Sequence, residues 1–161
     1  MRSGPAIIGF DDSPAARHAL LESAALLNGQ PVLVVVVWEA GRAFDLVDRP
    51  SIALDFPVAN LDVRSALAAD AAAHEAALRL AEYGAALATE AGMRAEGLAV
   101  ADEVQVADTL VRLAHGRDAR AVVVGNRQRS RLGELLLGST SRSVLDRAPC
   151  PVVVIAQDRH H

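Results

Sequence analysis

Two short clusters stand close together in the last third of the chain: Gly125-Asn126-Arg127-Gln128, then nine residues, then Gly138-Ser139-Thr140-Ser141. Glycine, hydroxyl and arginine at these spacings suit the holding of a phosphate-like anion. Glycine lacks a Cβ, so at 125 the backbone can turn sharply or let a ligand pass close. Gly138 offers the same freedom directly before the hydroxyl run. Where Ser139, Thr140 and Ser141 open a helix, their hydroxyls and backbone N–H groups lie at the positive end of its dipole. Arg127, Arg129 and Arg131 add guanidinium groups, which suit phosphate through paired hydrogen bonds. Taken singly, each feature has a plain structural use, since a glycine after a strand makes a turn and Ser139 caps a helix. Their combination at one strand end points to an anion.

A second polar cluster, Gly9-Phe10-Asp11-Asp12-Ser13, follows the first apolar run. Asp11 has two uses here. It caps the following helix, or it accepts hydrogen bonds from a ribose or adenine in a crevice between two strands. In an open parallel α/β sheet, ligands sit beyond the carboxyl ends of the strands, where the strand order reverses. Both clusters occupy such ends.

Other chemistries lack their residues. The 16 basic side chains are all arginine, so no lysine is present for a G-x-x-x-x-G-K-[ST] loop. No G-x-G-x-x-G follows the first apolar run, and Gly-x-Ser-x-Gly is absent. His74-Glu75 has no histidine at zinc-protease spacing. His18 and His115 fall in helical stretches, where surface or half-buried roles are expected. Cys150, between Pro149 and Pro151, is the single cysteine, which excludes an intrachain disulfide and suits a small packed side chain. No set reads as a catalytic acid and base pair, and none as a metal site.

The elements that position these clusters follow from apolar periodicity. Ala6 to Phe10 reads as a strand, after which Ser13 and Pro14 suit the cap and first turn of a helix carrying Leu20, Ala24 and Leu27. Asn28-Gly29 stops it. Val32 to Trp38 is unbroken apolar sequence, expected of a strand buried on both faces. Ala40 to Asn60 has no period and reads as a long loop. Asp62 to Ala91 is an alanine-rich helix, Arg94 to Val100 a weaker strand, and Val106, Leu110 and Ala114 stripe a short helix stopping at Gly116. Ala121 to Val124 is a strand, Ser139 to Arg147 a helix, and Val152 to Ala156 the last strand. This β-α-β-α-β-α-β-α-β order predicts a three-layer α/β domain with a mostly parallel sheet. Residues 1–158 are expected to form one domain, with Arg159-His160-His161 as a tail.

The 161 residues, 52% of them apolar, can bury a sizeable core, and 22% charged residues argue against wholesale disorder. A net charge of −4 makes no electrostatic case for nucleic acid or an anionic membrane. No apolar run reaches the roughly 18 residues of a membrane span, and Asp11-Asp12 interrupts any leader-like pattern. A soluble cytoplasmic protein is expected.

Quoted together, these residues resemble the universal stress protein family over nearly the whole chain, from Ala6-Ile7-Ile8-Gly9-Phe10-Asp11 to Pro151-Val152-Val153-Val154-Ile155. The nucleotide-binding branch carries G-x-x-G, nine residues, then G-[ST]. Gly125 and Gly138-Ser139 match its ends, while Gln128 replaces the second glycine. The resemblance implies a Rossmann-like, adenine-nucleotide α-hydrolase-like fold with five parallel strands in the order 3-2-1-4-5. It implies that Gly9, Asp11 and Val37 meet the adenosine, that Val124, Gly125, Arg127 and Gln128 flank ribose and phosphates, and that Gly138, Ser139, Thr140 and Ser141 take the phosphates. It further implies ATP as ligand, with Mg²⁺ or Mn²⁺ as a companion ion, and a homodimer paired through Val152 to Ala156. The expected role is a stress-response sensor or regulator. A nucleotide-free dimeric interaction module is the alternative that Gln128 favours, and slow ATP hydrolysis is a lesser one.

Overall fold

Unbroken β-branched sequence favours extended backbone that is covered on both faces. In the computed structural model, which describes residues 1–41, 63–102, 105–127 and 137–157, such runs form the middle of a parallel sheet. Its strands are β1 (Ala6–Gly9), β2 (Pro31–Glu39), β3 (Arg94–Asp102), β4 (Ala121–Asn126) and β5 (Val152–Ala156). Every pairing is parallel and the order is β3-β2-β1-β4-β5, as expected. The connecting helices are α1 (Pro14–Leu27), α2 (Val63–Glu90), α3 (Val106–Gly116) and α4 (Ser139–Arg147).

Alternation along the strands sorts the core into two layers. Ile8, Val34, Val36 and Val123 face α1 and α2, where Ala19, Leu20, Ala81, Ala85 and Ala88 meet them. Ile7, Leu33, Val35, Val122 and Val124 face the other way, against Ala107, Leu110 and Ala114 of α3 and Val144 of α4. Ile7 and Ile8, next to each other on β1, are both fully buried, one in each layer. Burial of such a side chain contributes roughly 1.5–3 kcal/mol, so this short strand anchors both layers at once. Alanine on the inner face of α2 lets that helix lie close to the sheet.

Local signals set the helix ends near the site. The Ser13 hydroxyl accepts from the Ala16 N–H at 3.1 Å and Pro14 fills the first turn of α1, as the sequence suggests. Strand β3 runs two residues past its expected end at Val100. Its register with β2 holds from Pro31↔Arg94 to Glu39↔Asp102, so a long neighbour extends a strand of weak composition. Of the expected loop from Ala40 to Asn60, only Ala40 and Gly41 belong to the described residues, and there the Gly41 N–H donates to Asp70 at 2.8 Å.

The turn from β1 into α1 is held from outside. Asp12 adopts φ 62°, in the left-handed region that aspartate tolerates better than most residues. Arg17 Nε donates to its carboxylate at 2.6 Å, and the same guanidinium lies 5.5 Å from the Tyr83 ring centre on α2. The Arg17 hydrogen bond holds the Asp12 carboxyl below its ordinary 3.8. A lowered carboxyl stabilises the fold above that value, and the contribution disappears as pH falls through the folded-state pKa. Arg17→Gln is therefore expected to give a shallower loss of stability below about pH 3.8, read from urea midpoints across an acid series. A slope equal to that of the parent would contradict it.

Candidate functional site

The pairing of β1 with β4 ends at Ile8↔Val123. On the outer sides the ladders run further, through Gly9↔Val35 and through Asn126↔Ala156. The two central strands therefore part at the point where the chain order reverses, and a cavity of about 340 Å³ opens there.

Its walls divide by chemistry. One end is apolar, formed by Val35 and Val37 of β2 with Val106 and Leu110 of α3. The other is the start of α4, with Gly138, Ser139, Thr140 and Ser141. Between them lie Gly9, Phe10 and Asp11 from β1, and Val124, Gly125, Asn126 and Arg127 from β4. All ten expected site residues within the described residues thus line one cavity: Gly9, Asp11, Val37, Val124, Gly125, Arg127, Gly138, Ser139, Thr140 and Ser141. Gln128, the eleventh, lies outside the described residues, as do Arg129 and Arg131.

The start of α4 is built differently from that of α1. Gly138, not Ser139, is its N-cap, and no side chain caps it. The first turn of any helix leaves N–H groups without intrahelical partners. The first internal bond here runs from the Arg142 N–H to the Gly138 carbonyl at 3.0 Å. Ser139 and Thr140 are exposed, while Ser141 is buried. These unbonded donors and the positive dipole end suit an anion with several acceptor oxygens.

The two glycines of the motif have separate reasons. A Cβ on Gly125 would stand 2.6 Å from the Ala15 carbonyl oxygen and 2.8 Å from its carbon, so glycine here lets the first turn of α1 lie against β4. The expected close approach is thus made by the chain's own helix. At Gly138 φ is −62° and, among the described residues, the nearest atom to an added Cβ is Asn126 Oδ1, at 3.9 Å. Neither the backbone angle nor packing among the described residues demands glycine there.

Asp11 and Arg127 face each other across the opening, with Arg127 Nη2 donating to Asp11 Oδ2 at 2.5 Å. Asp11 Oδ1 accepts from the Ser13 N–H at 3.0 Å, so the carboxylate braces the loop before α1 while Ser13 does the capping. Asn126 is buried, and its Oδ1 accepts from the Gly138 N–H at 3.4 Å, tying the end of β4 to the start of α4. Behind the wall, Arg147 of α4 pairs with Asp108 of α3 and donates to the Ser143 hydroxyl at 2.6 Å. Cys150 packs against the α3 and α4 layer, where burial pushes its thiol above 9.0 and keeps it a poor nucleophile.

Sequence reasoning assigned no site role to Val35, Val106, Leu110 or Asn126. Val106 and Leu110 were visible as a helix stripe, and Asn126 directly follows Gly125. Which neighbours they share depends on strand order, which periodicity alone does not carry.

A family model described as the universal stress protein family matches residues 4–156. A universal stress protein of Mycolicibacterium smegmatis is 48% identical over 65 residues, a stretch spanning 38% of this chain and 21% of that relative's length. The solved universal stress protein of Archaeoglobus fulgidus has a TM-score of 0.65 at 26% identity, covering 95% of this chain and 98% of that one. A universal stress protein structure from the same organism, in complex with dAMP, has a TM-score of 0.60 at 24% identity, covering 96% and 99%.

Proposed function

The chain belongs to the universal stress protein family, and on that footing we propose that it binds an adenine nucleotide, ATP foremost, and acts as a sensor or regulator. One observation carries the reading. The cavity at the parting of β1 and β4 has an apolar end of valine and leucine and, opposite it, the uncapped N-terminus of α4. A purine suits the first and phosphates the second. Val37 and Gly9 would lie along the adenosine, Asp11 would accept from its hydroxyl or amine donors, and Val124, Gly125 and Arg127 would flank the ribose and phosphates. Gly138, Ser139, Thr140 and Ser141 would hold the phosphates. The dAMP complex of the Archaeoglobus fulgidus protein supports an adenine nucleotide.

Asp11 is the one carboxylate among the described lining residues, so a Mg²⁺ or Mn²⁺ would be held mainly by the phosphates themselves. Among the described residues no group of three or more histidine, cysteine, aspartate or glutamate side chains could hold a metal, and no helix is long and apolar enough to cross a membrane. Strand β5 is an edge strand of half-buried apolar residues, and pairing it with a second copy would cover that edge.

The test is direct. Nucleotide released from the purified protein should chromatograph as an adenine nucleotide, and stripped protein should bind ATP in calorimetry, with and without Mg²⁺. Absence of binding at millimolar ATP would refute the reading. Light scattering on the same sample should give a dimer mass, and a monomer would overturn the β5 pairing.

A further inference from the structure

We propose that Asp11 and Arg127 form an exchangeable pair across the mouth of the cavity, through which the site separates a phosphorylated nucleoside from a bare one. The inference rests on the adenine-nucleotide reading above and adds a selection rule to it. The two partners come from opposite sides of the crevice, one after β1 and the other after β4, and they meet at 2.5 Å. Their side chains are 60% and 62% exposed, so water screens the attraction and the pair breaks easily. The two members are not equally free to leave. Asp11 stays anchored through Oδ1 to the Ser13 N–H at 3.0 Å. Arg127 is the one basic side chain among the described lining residues.

A nucleotide suits this arrangement because it carries both kinds of group. Its hydroxyl or amine donors take up the Asp11 carboxylate, and its phosphate takes up the released guanidinium, so each partner exchanges one charged contact for another. A nucleoside brings only the donors. It must separate the pair and leaves Arg127 with water alone. Breaking the pair costs both ligands alike, and only the phosphorylated one recovers that cost through the freed guanidinium.

The experiment is calorimetric titration of the full chain with AMP and with adenosine, for the parent and for Arg127→Met, with thermal midpoints recorded for both. Arg127→Met should weaken AMP by about tenfold or more, the usual scale for a lost hydrogen bond between charged groups. The same change should tighten adenosine by about two- to fivefold, the scale of an exposed ion pair. Opposite signs are the signature, since general damage to the site weakens both ligands. A second measurement needs no variant: raising salt should strengthen adenosine binding to the parent by screening the pair, while weakening AMP. Equal effects on the two ligands, or adenosine binding indifferent to both substitution and salt, would overturn the exchange while leaving the nucleotide reading standing. Failure of the parent to bind AMP or ATP at all would overturn that reading, and the exchange with it.

Discussion

Replacing Gly125 by alanine should destabilise the protein by about 3 kcal/mol, a fall of roughly 6–12 °C in thermal midpoint for a chain of this size. The added Cβ would lie 2.6 Å from the Ala15 carbonyl oxygen, 2.8 Å from its carbon and 3.2 Å from the Ala16 nitrogen. All three are backbone atoms in the first turn of α1. A side chain in the way could rotate aside, but a helix backbone can only move as a body. Such a shift would pull Ala15 and Ala16 away from their buried positions and drag the Ser13 cap with them. Circular dichroism on heating reads the effect. A midpoint within about 2 °C of the parent would mean that α1 has room to withdraw, contrary to the packing described.

The second glycine should behave in the opposite way. Gly138→Ala should leave the thermal midpoint within a few degrees, because φ is −62° and, among the described residues, an added Cβ meets nothing nearer than Asn126 Oδ1 at 3.9 Å. Its folding cost is confined to a poorer N-cap, on the order of 0.5–1 kcal/mol. ATP affinity should nevertheless fall by at least about tenfold, equivalent to about 1.4 kcal/mol, since the methyl group stands where a phosphate would approach the N–H groups of α4. Gly138→Ser separates the two effects. It supplies a capping hydroxyl and should be as stable as the parent, yet it should bind ATP as poorly as the alanine variant. Parent-like affinity in both variants would show that no ligand atom comes close to residue 138.

These contrasting roles mark how far the sequence alone could be read. Val32 to Trp38 announced a buried central strand because no polar residue interrupts it, and the observed strand differs only by adding Pro31 and Glu39. Ser13 and Pro14 announced the start of α1 because capping is a local interaction. Residues of the candidate site were legible wherever a loop motif carried them, at Asp11, Gly125 and Gly138. The reason for Gly125 was not legible, since its close neighbour, Ala15, is remote in sequence and meets it only through the folded sheet. The same holds for the apolar end of the cavity. Val35 belongs to β2 and Leu110 to α3, and only the strand order brings them to one wall. Ser139 looked like a cap because serine usually is one, but Gly138 occupies that position and leaves the hydroxyl of Ser139 outside the capping role.

The place of β1 in the sheet has a consequence for how the protein comes into being. This strand of four residues is made well before one of its two neighbours, β4, which starts only at Ala121. Contacts so distant in sequence form late and slowly. Asp11 therefore leaves the ribosome long before Gly138, and the crevice between them cannot exist in any nascent chain that stops short of α4. The cavity forms in one step once α4 has been made, rather than accumulating by halves. A ligand spanning the seam would then act as a clasp on the finished topology, adding about 2.7 kcal/mol at a hundredfold excess over its dissociation constant. Such a ligand would hold together β1 and α4, segments made far apart in time.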